Sequence, residues 1–173
     1  NQVSLEMLAY YDPLTRLANR RKFQHEVENL IKESANSQKS FAILFFDLNR
    51  FKDVNDTLGH EIGDELLKYV AARVASIWRK PDLLARRGGD EFTILLHDAN
   101  VEKTNAVVER ILENVQKPFK VEEYFLTAEL SIGAAYFPQH GETITELMRN
   151  ADFAMYLAKS RGGGFAEFES KNE

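Results

Sequence analysis

Residues 41–47 read FAILFFD. Six apolar side chains stand in a row, bounded by the polar segment ESANSQKS (33–40) and by a carboxylate. A run this short reads as a strand buried on both faces. Asp47 then sits at the strand's end, where a carboxylate is costly unless it finds a partner. Taken alone, Asp47 is as readily an ordinary surface residue just past the strand.

Working outward, Val3, Met7, Leu8 and Tyr11 suggest a short amphipathic lead-in helix. Asp12-Pro13 reads as an N-cap with proline at the first helical position, opening a helix from Leu14 towards Ile31. Downstream of the FAILFF strand, Leu66, Leu67, Val70, Val74 and Ile77 recur at helical spacing, giving a helix over Asp64 to Trp78 that Pro81 stops. Leu83 to Arg86 and Phe92 to Leu96 are short strands around Gly-Gly-Asp, hence a hairpin. Val101 to Gln116 is a further helix. Phe119 to Leu126 and Thr127 to Phe137 read as strands. Ile144 to Lys159 is the last long helix, ended by Gly162 to Gly164, and Phe165 to Phe168 adds an edge strand. This order predicts a mixed α/β sandwich. Residues 1–11 are read as a lead-in from an upstream region and 12–170 as one domain.

The hairpin carries the second acidic spot. In Arg87-Gly88-Gly89-Asp90-Glu91-Phe92 the glycines allow positive φ and close approach of a ligand. Two adjacent carboxylates follow. By itself this is also what an acidic surface turn looks like. If the hairpin lies beside the FAILFF strand, however, Asp47 and Asp90 converge at one sheet edge. Clustered carboxylates repel unless a cation neutralises them. Hard oxygen ligands beside a phosphate favour Mg²⁺, which is the arrangement of metal-assisted phosphoryl transfer. Lys52, in the loop after Asp47, and Lys159, at the end of the last helix, are the nearby basic candidates, although a lone lysine is more often a solvated charge.

The 173 residues carry 22 basic and 27 acidic side chains, a formal charge of −5, and no cysteine. A field of that sign attracts neither nucleic acid nor an anionic membrane surface. Disulfides and thiolate metal sites are excluded. His25, His97 and His140 show no ligand spacing, and His60 is read as shaping a loop, so no zinc is expected. No apolar run approaches the roughly 18 residues of a membrane helix, and the cytoplasm is the default location.

Five ordered blocks now carry a resemblance: DPLTRLANRRKF (12–23), FDLNRFKDVNDTLGHEIGD (46–64), RRGGDEF (86–92), Ser131-Ile132-Gly133 and ADFAMYLAK (151–159). Together the sequence resembles the GGDEF family of diguanylate cyclases over almost its whole length. The resemblance implies a cyclase- or palm-like α/β (α+β) fold with a central antiparallel sheet flanked by helices. It implies Mg²⁺, or Mn²⁺ in its place, held by Asp47, Asp90 and the Leu48 carbonyl. Gly88, Gly89, Asp90 and Glu91 would form the catalytic turn, with Glu91 binding metal or activating a 3′-hydroxyl. Asn55 and Asp64 would hydrogen-bond guanine, Phe51 would join the substrate site, and Lys52 and Lys159 would hold the triphosphate. Two GTP molecules, one per subunit of a homodimer, would give cyclic di-GMP. Arg79 and Asp82, with Arg110 on the next helix, resemble the family's product-inhibition site; a helix end stopped by Pro81 is the plainer reading of the same residues.

The sequence also departs from the family pattern. Asn49 stands where a second Asp is usual, Arg16 replaces a usual Gly, and Gly163 stands where many members have an Arg that assists Lys159. Pro118-Phe119 and YFPQHG (136–141) look like the subtype often fused to a C-terminal EAL phosphodiesterase domain, with a sensor upstream. The second reading is therefore a GGDEF module that binds GTP or cyclic di-GMP and regulates a neighbouring domain without turnover. A third, an unrelated α/β dimerisation domain, leaves the five blocks unexplained.

Overall fold

A computed structural model describes residues 2–77 and 80–169. Its centre is a five-stranded sheet in the order β2-β3-β1-β6-β7. The FAILFF run becomes β1 (Phe41–Leu48), buried at all eight positions. It pairs antiparallel with β3 (Glu91–His97) on one side and β6 (Leu130–Phe137) on the other. β2 (Leu83–Gly88) completes the hairpin with β3. β7 (Gly164–Glu167) runs parallel to β6 at the far edge. Asp47 thus lies inside the strand rather than past its end, paired in register with Glu91 and Ser131.

Period-two alternation sends the β1 side chains to two cores. Ala42, Leu44, Phe46 and Leu48 pack with α4 (His60–Ala75) and α5 (Val101–Val115). Phe41, Ile43 and Phe45 pack with α2 (Arg20–Ser34) and α6 (Ile144–Ser160). Stacked pairs lock the strands from both faces: Phe46 on Phe92 at 4.9 Å and Phe41 on Phe137 at 4.7 Å between ring centroids. Each such buried aromatic contributes about 1.5–3 kcal/mol over leaving it in water. Parity puts Asp47 on the α6 face, and α6 comes unusually close there. A Cβ on Gly133 of β6 would overlap the backbone of Met155 and Ala151, so only glycine lets this helix lie on the strand.

Three expectations need correction. The helix expected from Leu14 begins only at Arg20, capped by the Asn19 side chain. Asp12 instead closes a single turn by accepting from the Thr15 N–H at 2.8 Å, and Arg16 turns left-handed at φ 65. That is where the family's glycine would sit without strain. Second, Lys52 is not in a loop. Phe51–Leu58 form a further helix, α3, whose short and strongly charged sequence hid its period. Gly59, at φ 97, breaks α3 from α4. Third, the run 119–126 is a small separate hairpin of β4 (Phe119–Val121) and β5 (Tyr124–Leu126). Glu122, at φ 53, makes its turn. The lead-in helix α1 spans Gln2–Tyr10, and Leu5 and Leu8 on it are exposed. No helix among the described residues is long and apolar enough to cross a membrane.

Candidate active site

The β1–β3 register brings the two acidic spots to one end of the sheet. Asp47 is 6% exposed, and its Oδ2 accepts from the Lys159 ammonium at 2.7 Å. Its other oxygen, Oδ1, is buried with no hydrogen-bond partner. An unsatisfied buried carboxylate oxygen is expensive, and it lies where Asp90 also converges. Burial pushes the Asp90 carboxyl above its usual value, and the Asp47 charge pushes it further. Its own backbone N–H, Lys159 and the Leu48 backbone pull the other way. The Asp47 hydrogen bond raises Lys159 in turn.

The turn that presents Asp90 is braced from outside. Gly88 and Gly89 adopt φ 147 and 51, and a bulge between Arg86 and Gly88 shifts the register. Arg86 Nε donates to the Gly89 carbonyl at 3.0 Å, while its Nη1 donates to Asp12 Oδ1 at 2.9 Å. Asp12 therefore holds the arginine that holds the turn. Sequence reasoning took Asp12 for a helix cap and missed this; the two residues lie 74 positions apart.

A second group borders the first. Burial, then Asp152, pushes the Glu91 carboxyl up, with Arg87 opposing. Asp152 is raised by burial and Asp47, again against Arg87. Arg87 itself is lowered by burial and by its neighbour Arg20, and it stands 5.5 Å over the Phe45 ring. Asp152 sits two turns before Lys159 on α6, and only the fold reveals that it faces Glu91.

The remaining candidates are spread more widely. Asn55 on α3 has a buried Oδ1 without a partner, pressed against Gly63, where any Cβ would overlap it. A Cβ on the same glycine would also stand 3.4 Å from the Phe51 ring. Asp64 follows Gly63 but is exposed, lining a hollow with Glu61, Lys68 and Lys120. Lys52 is exposed on α3, in no ion pair among the described residues. Asp82 lies towards the other end of β3, accepting from the His97 N–H at 2.8 Å with Lys103 at 3.8 Å. Arg110 is exposed on α5. Arg79 lies outside the described residues.

The donor set at Asp47 and Asp90 suits a divalent cation. It offers hard oxygens, an orphaned buried acceptor and one lysine against two carboxylates. Among the described residues no group of three or more His, Cys, Asp or Glu side chains forms a closed metal site. The protein would supply part of a coordination shell, as it does for Mg²⁺ at phosphate sites.

A mostly antiparallel sheet flanked by helices, with paired carboxylates and a lysine at one end, defines a cyclase-like palm domain. The chain belongs to the GGDEF domain family: residues 9–164 match the family described as diguanylate cyclase, GGDEF domain. It is 40% identical over 167 residues to the bifunctional diguanylate cyclase/cyclic di-GMP phosphodiesterase MucR of Pseudomonas aeruginosa, covering 96% of this chain and 24% of that protein. It is 35% identical over 172 residues to the diguanylate cyclase TpbB of the same species, covering 98% of this chain and 40% of TpbB. A solved structure of an N-terminally truncated TpbB from Pseudomonas aeruginosa, comprising only its GGDEF domain, superposes with a TM-score of 0.88 at 35% identity, over 92% of this chain and 95% of that one. The chain thus spans well under half the length of these curated relatives.

Proposed function

We propose that this domain is a diguanylate cyclase, condensing two GTP into cyclic di-GMP and two pyrophosphates. The observation that carries the reading is the convergence of Asp47 and Asp90 beside Lys159, with Asp47 Oδ1 left unsatisfied.

Asp47, Asp90 and the Leu48 carbonyl would hold Mg²⁺, or Mn²⁺ in its place, which when bound neutralises charge on the reacting phosphate. Lys159, already at the carboxylates, would exchange Asp47 for phosphate oxygens, and Lys52 would take the outer phosphates. Asn55 would turn its free Oδ1 to guanine's N–H donors, with Asp64 as the second acceptor and Phe51 alongside. Gly88 and Gly89 let the turn come close to the phosphates without side chains in the way. Glu91, its carboxyl raised above the usual range, would accept the proton of the attacking 3′-hydroxyl. The oxygen forms a new ester bond to the α-phosphorus, the bond to the β-phosphate breaks, and pyrophosphate leaves with the electron pair. Each hydroxyl attacks the other subunit's nucleotide, so the productive form is a two-fold homodimer.

Cyclic di-GMP would also inhibit, bound at Arg79, Asp82 and Arg110. Arg79→Ala should then relieve inhibition by added product, and unchanged inhibition would return the motif to a helix end. A C-terminal EAL domain and an upstream sensor are the expected neighbours in a full-length protein, placing this domain in the cytoplasm.

The second reading, a GTP- or cyclic di-GMP-binding regulator without turnover, is favoured by Gly163, which supplies no side chain where the family often has an arginine. One assay separates the two. Incubation with GTP and Mg²⁺ at rising protein concentration should yield cyclic di-GMP at a rate that increases faster than linearly. GTP bound without product would select the regulator.

A further inference from the structure

Asn49 and Gly163, two departures from the family pattern that are 114 positions apart, are in contact. The Asn49 backbone N–H donates to the Glu129 carbonyl at 2.8 Å, extending the β1–β6 ladder by one rung. Its side-chain Oδ1 accepts from the buried Ser131 hydroxyl at 2.6 Å. That fixes the amide's orientation and aims Nδ2 at the loop after α6. A Cβ on Gly163 would stand 2.6 Å from Asn49 Nδ2, whereas one on Gly162 or Gly164 would meet nothing within 4 Å. Asn49 is thus the side chain against which this glycine loop rests. Behind it lies a cavity of about 220 Å³ between the end of α5 and the loop.

The loop's backbone is built for this arrangement. Gly162, Gly163 and Gly164 all take positive φ, 97, 112 and 94. The Gly163 N–H donates to the Ala158 carbonyl at 2.9 Å and closes the helix end. Lys159 projects from that last turn to Asp47. Asn49 also follows Leu48 directly, so one amide touches both the strand end that presents the Leu48 carbonyl and the loop that anchors Lys159. An aspartate at 49 could accept from Ser131 as well, but it would add a further carboxylate two residues from Asp47. Asparagine makes the same brace without charge.

We propose that Asn49 is a positioning residue: its amide braces the 161–164 loop against the ends of β1 and β6, and thereby holds Lys159 and the Leu48 carbonyl in register for a triphosphate. This rests on the cyclase-type site proposed above. A neutral polar brace takes the place of a second carboxylate and an arginine, so a missing arginine at 163 need not mean a missing phosphate site.

The test pairs two readouts on the whole domain, each variant first checked for a cooperative melt. Hydrogen exchange in the nucleotide-free protein reads the brace alone. Asn49→Ala should speed exchange of the Gly163 amide at least about tenfold, and Asn49→Asp, which keeps the Ser131 acceptor, should restore most of the protection. Gly163→Ala, pushing a methyl into the amide, should speed it as well. GTP affinity, measured with a fluorescent GTP analogue, reads the consequence. Asn49→Ala should weaken it about tenfold, with a rise in KM larger than any fall in kcat. Unchanged exchange in Asn49→Ala would overturn the brace. Faster exchange with unchanged GTP affinity would reduce Asn49 to a structural residue and overturn the positioning role. Wild-type protein that binds no GTP at all would sink the cyclase-type reading and this inference together, a result visible before any variant is compared.

Discussion

Strand β3 has a carboxylate group at each end, and the two ends treat their acids in opposite ways. Near His97, Asp82 is served by a backbone N–H at 2.8 Å and by the Lys103 ammonium at 3.8 Å. Near Glu91, three carboxylates crowd the mouth of the sheet. One Asp47 oxygen has no partner, Asp90 is pushed up by burial and by the Asp47 charge, and Glu91 by burial and by the Asp152 charge. A satisfied acid contributes to the fold. An unsatisfied one costs stability, and such strain persists at sites whose electrostatics serve a ligand.

The sharpest way to break the contrast is to remove the crowded acids and read turnover. Asp90→Ala, or Glu91→Ala, should lower cyclic di-GMP production about 10³-fold, assayed by chromatography at saturating GTP. Near-normal rates in both would dissolve the site. Next comes Lys159→Ala. It removes the one cation paired with Asp47 among the described residues and should raise KM for GTP about tenfold, a loss of roughly 1.4 kcal/mol of binding. An unchanged KM would leave Lys159 as a structural counter-ion.

Stability should then separate the two ends by sign. Asp82→Ala strips an acceptor from a served N–H, costing about 1–3 kcal/mol, and should lower Tm by about 4 °C. Asp90→Asn should raise Tm of the metal-free protein by about 2 °C. The pH dependence follows. A carboxyl whose folded pKa lies above its unfolded value of 3.8 binds protons more readily folded than unfolded. Its contribution to stability therefore falls as pH rises from the unfolded value through the folded one, and the full penalty remains above. The gain from Asp90→Asn should vanish at acid pH and reach its full size at neutral pH. A gain that shrank with rising pH would contradict the raised pKa.

Much of this contrast was legible in the chain. Six apolar residues ending in Asp47 gave β1, and the Gly-Gly turn gave the hairpin, because both are local patterns with one good solution. What sequence could not supply was register across long separations. Asp12 looked like a cap because Asp-Pro is a local signal, whereas its partner Arg86 is remote. Nothing local marks Asp152 on the last helix; its place beside Glu91 follows only once α6 lies on β6, which Gly133 permits. Helix α3 escaped because its eight residues are too short to show a period. Asn49 and Gly163 read as two unrelated departures, since nothing in either neighbourhood points to the other.

Asp47 and Asp90, 43 positions apart in the chain, are proposed to share one cation. Mn²⁺, read by its paramagnetic resonance signal, can be titrated into the domain with GTP present, for the wild-type protein and for Asp47→Asn and Asp90→Asn singly. Each single change should weaken Mn²⁺ binding at least about tenfold. Undiminished binding in either variant would mean that the two carboxylates do not hold the same ion.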